Sequence, residues 1–129
     1  MVIDTSVIIA ILQREPEAAA FQAGIEIAPR RLMSAMSKFE TGMVVLGRRI
    51  VDAHILDRLM NELGITIIPF TDYHAGIARD AFIRYGKGRH KAGLNFGDCA
   101  SYALAKAEAE PLLFKGTDFG STDVEVVGL

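Results

Sequence analysis

The sequence predicts an α/β fold, a mostly parallel sheet of about five strands covered by helices. Short β-branched or aliphatic segments alternate along the chain with longer segments of helical periodicity. The short segments are apolar at consecutive positions, as strands covered on both faces must be. In such folds functional residues gather beyond the carboxyl ends of the strands.

Val2–Asp4 reads as the first strand and Thr5 to about Arg14 as the first helix. Pro16–Ala28, PEAAAFQAGIEIA, reads as a second helix. Pro16 and Glu17 suit its first turn, the alanines propagate it and Pro29 stops it. Arg30–Ser34 is the second strand. Met36–Ile50 carries Phe39, Met43, Val44 and Leu46 at helical spacing. Asp52 is placed to cap a fourth helix with the stripe Ile55, Leu56, Leu59, Met60 and Leu63, which Gly64 terminates. Ile65–Ile68, ITII, is a third strand before Pro69. A fifth helix runs from Thr71 or Asp72 to about Tyr85, and a sixth from about Phe96 to Glu108. Pro111–Lys115 and Val124–Val127 complete the strands. No repeat, low-complexity tract or linker interrupts residues 1–129, so one domain is expected.

Half of the residues are hydrophobic and 23% are charged, a globular composition whose slight apolar excess points to an oligomer interface. Cys99 is the single cysteine, which forbids an intrachain disulfide and suits a reducing compartment. No apolar stretch approaches the roughly 20 residues of a membrane span. The opening residues lack the basic region and cleavage site of a signal peptide, so a soluble cytoplasmic protein is expected. A net charge of −2 argues against nucleic-acid binding by overall positive charge. Any such contact must come from local basic patches.

The carboxylates have structural readings and functional ones. Asp4 ends the first strand and can cap the first helix. Glu40 lies in Ser37-x-x-Glu40, a capping-box pattern that weakens if the helix begins nearer Ala35. Asp98 in LNFGDCASYALA sits in a first helical turn that Asn95 can cap, and its small neighbours Gly97, Cys99 and Ala100 admit close approach. Asp118 follows the fourth strand in a glycine-rich turn, with Asp123 a surface turn residue beyond it. Asp4, Glu40 and Asp118 all follow predicted strands, and those ends converge on one rim. Asp98 joins them if its helix aims there. Carboxylates so crowded repel one another unless a cation joins them. Oxygen donors without His or Cys select Mg²⁺, or Mn²⁺ in its place, and such sites act on phosphates. Thr5, Ser6, Asn95 and Thr117 are the neighbours expected to orient the carboxylates by hydrogen bonds.

VIDTSVIIAIL at Val2–Leu12, Glu40, LNFGDCASYALA around Asp98 and LLFKGTDF around Asp118 resemble the PIN-domain nucleases, and more narrowly the VapC toxins of bacterial toxin–antitoxin pairs. The resemblance spans nearly the whole chain. It implies a three-layer α/β sandwich and Mg²⁺-dependent endoribonuclease activity on structured RNA such as tRNA or rRNA. It also implies a homodimer and inhibition by a cognate VapB-type antitoxin. The family's acidic positions fall on Asp4, Glu40, Asp98 and Asp118, and its hydroxyl position on Thr5. Many members carry a further aspartate where this chain has Gly116, which leaves open whether one or two ions are held.

The loop GKGRHKAG, residues 86–93, concentrates Lys87, Arg89, His90 and Lys91 and leads toward Asp98, so it is expected to contact RNA phosphates. The pairs Arg30–Arg31 and Arg48–Arg49 read as surface or antitoxin contacts. Cys99 reads as a buried helix residue, and His54 and His74 as surface or packing residues. Two other functions fit less of the pattern. A Mg²⁺-dependent phosphoaspartyl protein would want an aspartate where Ser6 stands, or a phosphorylatable one closer to the third strand than Asp72. A nuclease fold that only docks a partner would use the apolar helices 36–50 and 52–63.

Overall fold

The computed structural model describes residues 1–129. Strands β1 (Val2–Ile3), β2 (Leu32–Ser34), β3 (Thr66–Ile68) and β4 (Leu112–Leu113) form one parallel sheet in the order β3-β2-β1-β4. Six helices surround it: α1 (Thr5–Leu12), α2 (Ala18–Ile27), α3 (Ala35–Gly47), α4 (Ala53–Glu62), α5 (Asp72–Tyr85) and α6 (Phe96–Glu108), with a 3₁₀ turn at Asp118–Ser121.

The layers follow from the two-residue period of the strands. Ile3, Met33 and Leu113 join a core built with residues of α1, α2, α3 and α4. Their strand neighbours Val2, Leu32 and Leu112 join a second core with α5 and α6. Both faces of the sheet are thus covered, which is why its strands read as continuous apolar runs rather than as alternation. β1 lies between β2 and β4, so whatever follows it emerges at the middle of the carboxyl rim.

The expected fifth strand is a single bridge. Val126 pairs with Leu112 through Leu112 N–H to Glu125 O (2.8 Å) and Val127 N–H to Leu112 O (3.0 Å). β4 is only two residues long, and Glu125 and Val126 are exposed, so nothing covers a longer outer strand.

Helix α3 begins one residue earlier than the pattern suggested, because Ser34 at the end of β2 caps it by accepting the Met36 N–H (3.2 Å). The Ser37–Glu40 capping box therefore does not form, and Glu40 lies inside the helix. The packed row of α3 is Ser37, Thr41 and Val45, all buried. Small residues at the first two of these positions let α3 lie close to α1 and α6. The larger apolar stripe Phe39, Met43 and Leu46 faces solvent instead of the core. In α4 the expected stripe is buried at Leu56, Met60 and Leu63 and exposed at Ile55. Asp52 is its N-cap residue but makes no capping bond with its side chain. Gly64 ends the helix with φ +64°, a conformation glycine adopts without penalty.

The Arg30–Arg31 pair serves the fold. Arg30 pairs with Glu108 (2.7 Å) and Glu110 (2.9 Å). Arg31 donates from Nε to Ala28 O (3.1 Å), from Nη1 to Leu63 O (3.0 Å) and from Nη2 to Glu26 O (2.5 Å). One guanidinium thus satisfies carbonyls at the ends of both α2 and α4, where helices leave them unpaired. Replacing Arg31 by Met is expected to cost about 1.5–3 kcal/mol in chemical denaturation, the range for bonds to a charged donor. Arg31→Lys should recover little of it, because an ammonium lacks the planar fork.

Candidate active site

Asp4 leaves β1 at the centre of the rim, with its backbone N–H on Leu113 O (3.0 Å). It is 4% exposed. Its Oδ2 accepts the Ser6 N–H (3.0 Å) and the Ser6 hydroxyl (2.7 Å), and its Oδ1 accepts the Ser101 hydroxyl (2.6 Å). Asp4 is therefore the N-cap of α1, as the structural reading had it. One oxygen caps the helix while the other is held by α6. Beneath it lies a layer of hydroxyls. Ser101 Oγ meets Ser37 Oγ (3.1 Å), Thr5 donates to Ser37 O (3.1 Å), and Thr41 lies within bonding distance of both Ser37 O (2.7 Å) and the Thr5 hydroxyl (3.2 Å). Ser6 Oγ also accepts the Lys115 N–H (2.9 Å), tying the segment after β4 to the start of α1.

Glu40 projects from α3 toward the first turn of α6. A Cβ at Gly97 would stand 1.8 Å from Glu40 Oε2, so only glycine admits the carboxylate there. Asp98, the next residue, forms a capping box with Asn95. Asn95 Oδ1 accepts the Asp98 N–H (2.9 Å), and Asp98 Oδ2 accepts the Asn95 N–H (3.0 Å). Burial pushes the Asp98 carboxyl up to about 6. The Asn95 N–H opposes the shift, and the charges of Asp4, Asp118 and Glu40 add to it. Burial also raises Glu40, against the Thr5 hydroxyl and with the Asp4 charge. The four carboxylates thus act on one another. None of them has a Lys, Arg or His partner within 4.0 Å.

Asp4, Thr5, Ser6, Glu40, Asn95 and Asp98 line one cleft of about 430 Å³ with Ile9, Glu15, Val44, Arg48, Lys115 and Gly116. Asp118 is exposed in the 3₁₀ turn and does not line it, although its charge reaches Asp98. Thr117 precedes that turn, exposed and without a capping bond from its side chain. None of the basic-loop residues lines the cleft. Lys87, Arg89 and Lys91 are exposed. His90 Nδ1 accepts the Ala92 N–H (3.0 Å), and its ring packs on Tyr85. Asp123 is committed elsewhere: it accepts the Tyr102 hydroxyl (2.6 Å) and pairs with Lys106 (3.3 Å) and Arg84 (3.6 Å).

Sequence reasoning missed Ser101, Ser37 and Thr41. Ser101 carried a signal, since it follows Asp98 by three residues and so shares its helix face. It also missed Arg48 and Lys115 as cations of the cleft. No histidine or cysteine belongs to the lining, and burial pushes the Cys99 thiol up to about 11, which makes it unreactive. An oxygen-only donor set whose carboxylates pair with no Lys, Arg or His within 4.0 Å suits a hard divalent ion. The Gly97 cradle, which brings Glu40 against the start of α6 beside Asp98, fits such an ion too. No three acidic side chains are arranged as a ready-made cage for an ion.

A parallel sheet between two helical layers, with carboxylates from the end of β1, from α3 and from α6 at its carboxyl rim, defines a class. The PIN domain model matches residues 1–125, and the chain belongs to that family. Within it the chain groups with the VapC ribonucleases. It is 45% identical over 130 residues to Ribonuclease VapC30 of Mycobacterium tuberculosis, covering 100% of this chain and 99% of the relative. It is 47% identical over 127 residues to VapC28 of the same organism, covering 97% and 96%. Among solved structures, M. tuberculosis VapC20, a sarcin-ricin loop cleaving toxin, shares the fold with a TM-score of 0.76 at 16% identity, over 99% of this chain and 98% of that one. A toxin–antitoxin complex from Klebsiella pneumoniae matches at 0.71 and 20% identity, over 98% and 95%. No helix is long and apolar enough to cross a membrane.

The raised Asp98 carboxyl has a consequence for stability. Its folded value of about 6 exceeds the unfolded value of about 3.9, so the folded chain binds the proton more tightly. The stability this gives is fully present below about pH 4 and is lost as pH rises through about 6. Asp98→Asn keeps an acceptor for the Asn95 N–H and removes the charge. Without divalent ions it should melt above the wild type at neutral pH, and the difference should vanish in acid. A scan showing the reverse order would contradict the burial of the Asp98 charge among the other carboxylates.

Proposed function

We propose that the chain is the toxin of a toxin–antitoxin pair, an endoribonuclease that hydrolyses phosphodiester bonds of structured RNA such as tRNA or rRNA. In this reading Asp4, Glu40, Asp98 and Asp118 hold Mg²⁺, for which Mn²⁺ can substitute. The observation that carries it is the set of mutually repelling carboxylates around buried Asp4, none of them paired with a cation of the protein within 4.0 Å. The names of the curated relatives support ribonuclease activity.

When bound, a divalent ion supplies charge for the phosphate oxygens and a water of lowered pKa. The chain's own residues do the rest. Ser6 and Ser101 fix Asp4 so that it cannot turn away. The Asn95 box fixes Oδ2 of Asp98 and leaves Oδ1 without a hydrogen bond from the box. Glu40 and Asp98, partly exposed and with raised proton affinity, are the carboxylates suited to take a proton from the attacking water. The three exposed cations of the 86–93 loop contact phosphates of the RNA outside the cleft.

An antitoxin fits the exposed stripe Phe39, Met43 and Leu46 on α3, the helix that also carries Glu40. Exposed apolar side chains on one helix face are the usual anchors of a partner. A second copy of the chain fits another apolar groove of about 470 Å³, lined by Met36, Phe70, Phe82 and Phe96 among others.

The decisive experiment is cleavage of tRNA and rRNA fragments by the purified chain, freed of antitoxin, with Mg²⁺, with EDTA, and as Asp4→Asn. Cleavage by the wild type with Mg²⁺ alone is expected. No cleavage but retained Mg²⁺ binding would leave a docking module, and loss of both would make Asp4 a helix cap only. Gly97→Ala tests the cradle. Its added methyl must push the Glu40 carboxylate aside, so the rate should drop roughly a hundredfold while the melting temperature changes little.

A further inference from the structure

The cleft contains its own cations, and they differ. Lys115 is committed, with Nζ paired to Glu15 (2.5 Å) and Glu17 (3.4 Å). Arg48 has no carboxylate within 4.0 Å, although it lines a cleft containing Asp4, Glu40 and Asp98. It follows Val44 by four residues and Glu40 by eight, which puts all three on one face of α3. It stands at the C-cap of that helix, exposed, about 12 Å along the axis from Glu40. A guanidinium held at the edge of an acidic cleft and matched by no acid contributes little to the fold. It offers five donors and a permanent charge to an anion entering the cleft.

We propose that Arg48 holds a phosphodiester of the bound RNA next to the one presented to the carboxylates. This rests on the ribonuclease reading and adds a positioning residue to it. The carboxylates repel an RNA backbone, and Arg48 compensates on the side of α3. It stands about two helical turns from Glu40 along the cleft wall, so it meets a phosphate other than the one at the carboxylates and acts in binding and not on the reacting atoms.

The test measures binding of a fluorescein-labelled hairpin RNA in EDTA across a salt series, and cleavage kinetics in Mg²⁺. Arg48→Gln is compared with Arg48→Lys and with Arg49→Gln, which removes the same charge one residue away and outside the cleft. Arg48→Gln should weaken binding roughly three- to tenfold and lower the salt slope by about 0.7–0.9, the contribution of one phosphate contact. KM should rise with kcat unchanged. Arg48→Lys should restore the slope, and Arg49→Gln should behave as wild type. Equal effects of Arg48→Gln and Arg49→Gln, an unchanged slope, or a fall in kcat at constant KM would overturn the proposal. A wild type that cleaves RNA while Arg48→Gln binds it as tightly sinks this inference alone. A wild type that neither binds nor cleaves RNA sinks the ribonuclease reading with it.

Discussion

The structure depends on how one buried carboxylate is satisfied. An ionised group in a dry interior is costly, and removing its partners leaves the whole cost exposed. Asp4 meets this with neutral donors, a backbone N–H and two hydroxyls, none of which cancels its charge. Those donors come from α1 and α6, and the hydroxyl layer under them reaches into α3. The junction of the three helices is polar where a core would ordinarily be apolar. Every hydroxyl in it has a partner, so it keeps its shape without a cation.

That arrangement leaves the charge available for function. A lysine beside Asp4 would stabilise the fold more, but under the proposed function it would occupy the place of the divalent ion. Gly97 serves the same end, since its missing side chain admits Glu40 to the start of α6 next to Asp98. The elevated Asp98 carboxyl records the result, raised first by its burial and further by the charges of Asp4, Asp118 and Glu40. Gly116 stands on the same rim with φ +108°, a backbone that an aspartate would adopt only under strain. The departure from the family's acidic pattern at that position is thus built into the local chain path.

Much of this was legible in the sequence because it is local. Strand ends, caps and helix periods depend on neighbouring residues, and Asp4, Asn95 and Asp98 announce themselves by position. The fifth strand failed because pairing depends on the length of its partner β4 and on cover that nothing provides. The stripe of α3 failed for a different reason. Phe39, Met43 and Leu46 form a sound amphipathic pattern, and period alone does not say which face is inward. The hydroxyl layer was hidden for a third reason. Ser37, Thr41 and Ser101 are ordinary helix residues until the topology brings three helices together.

Helix α3 shows why these features belong together. Its inner row, Ser37, Thr41 and Val45, is packed against the fold. Its second row, Glu40, Val44 and Arg48, lines the cleft. Its third, Phe39, Met43 and Leu46, is apolar and open to solvent. The second and third rows are centred about a third of a turn apart, and they approach each other only at Glu40, which precedes Met43 by three residues. A partner that buries the third row therefore reaches the Glu40 end of the second. Within the toxin–antitoxin reading, a partner on that row comes up beside Glu40, while Arg48 stays on the far side of the helix and open to the cleft.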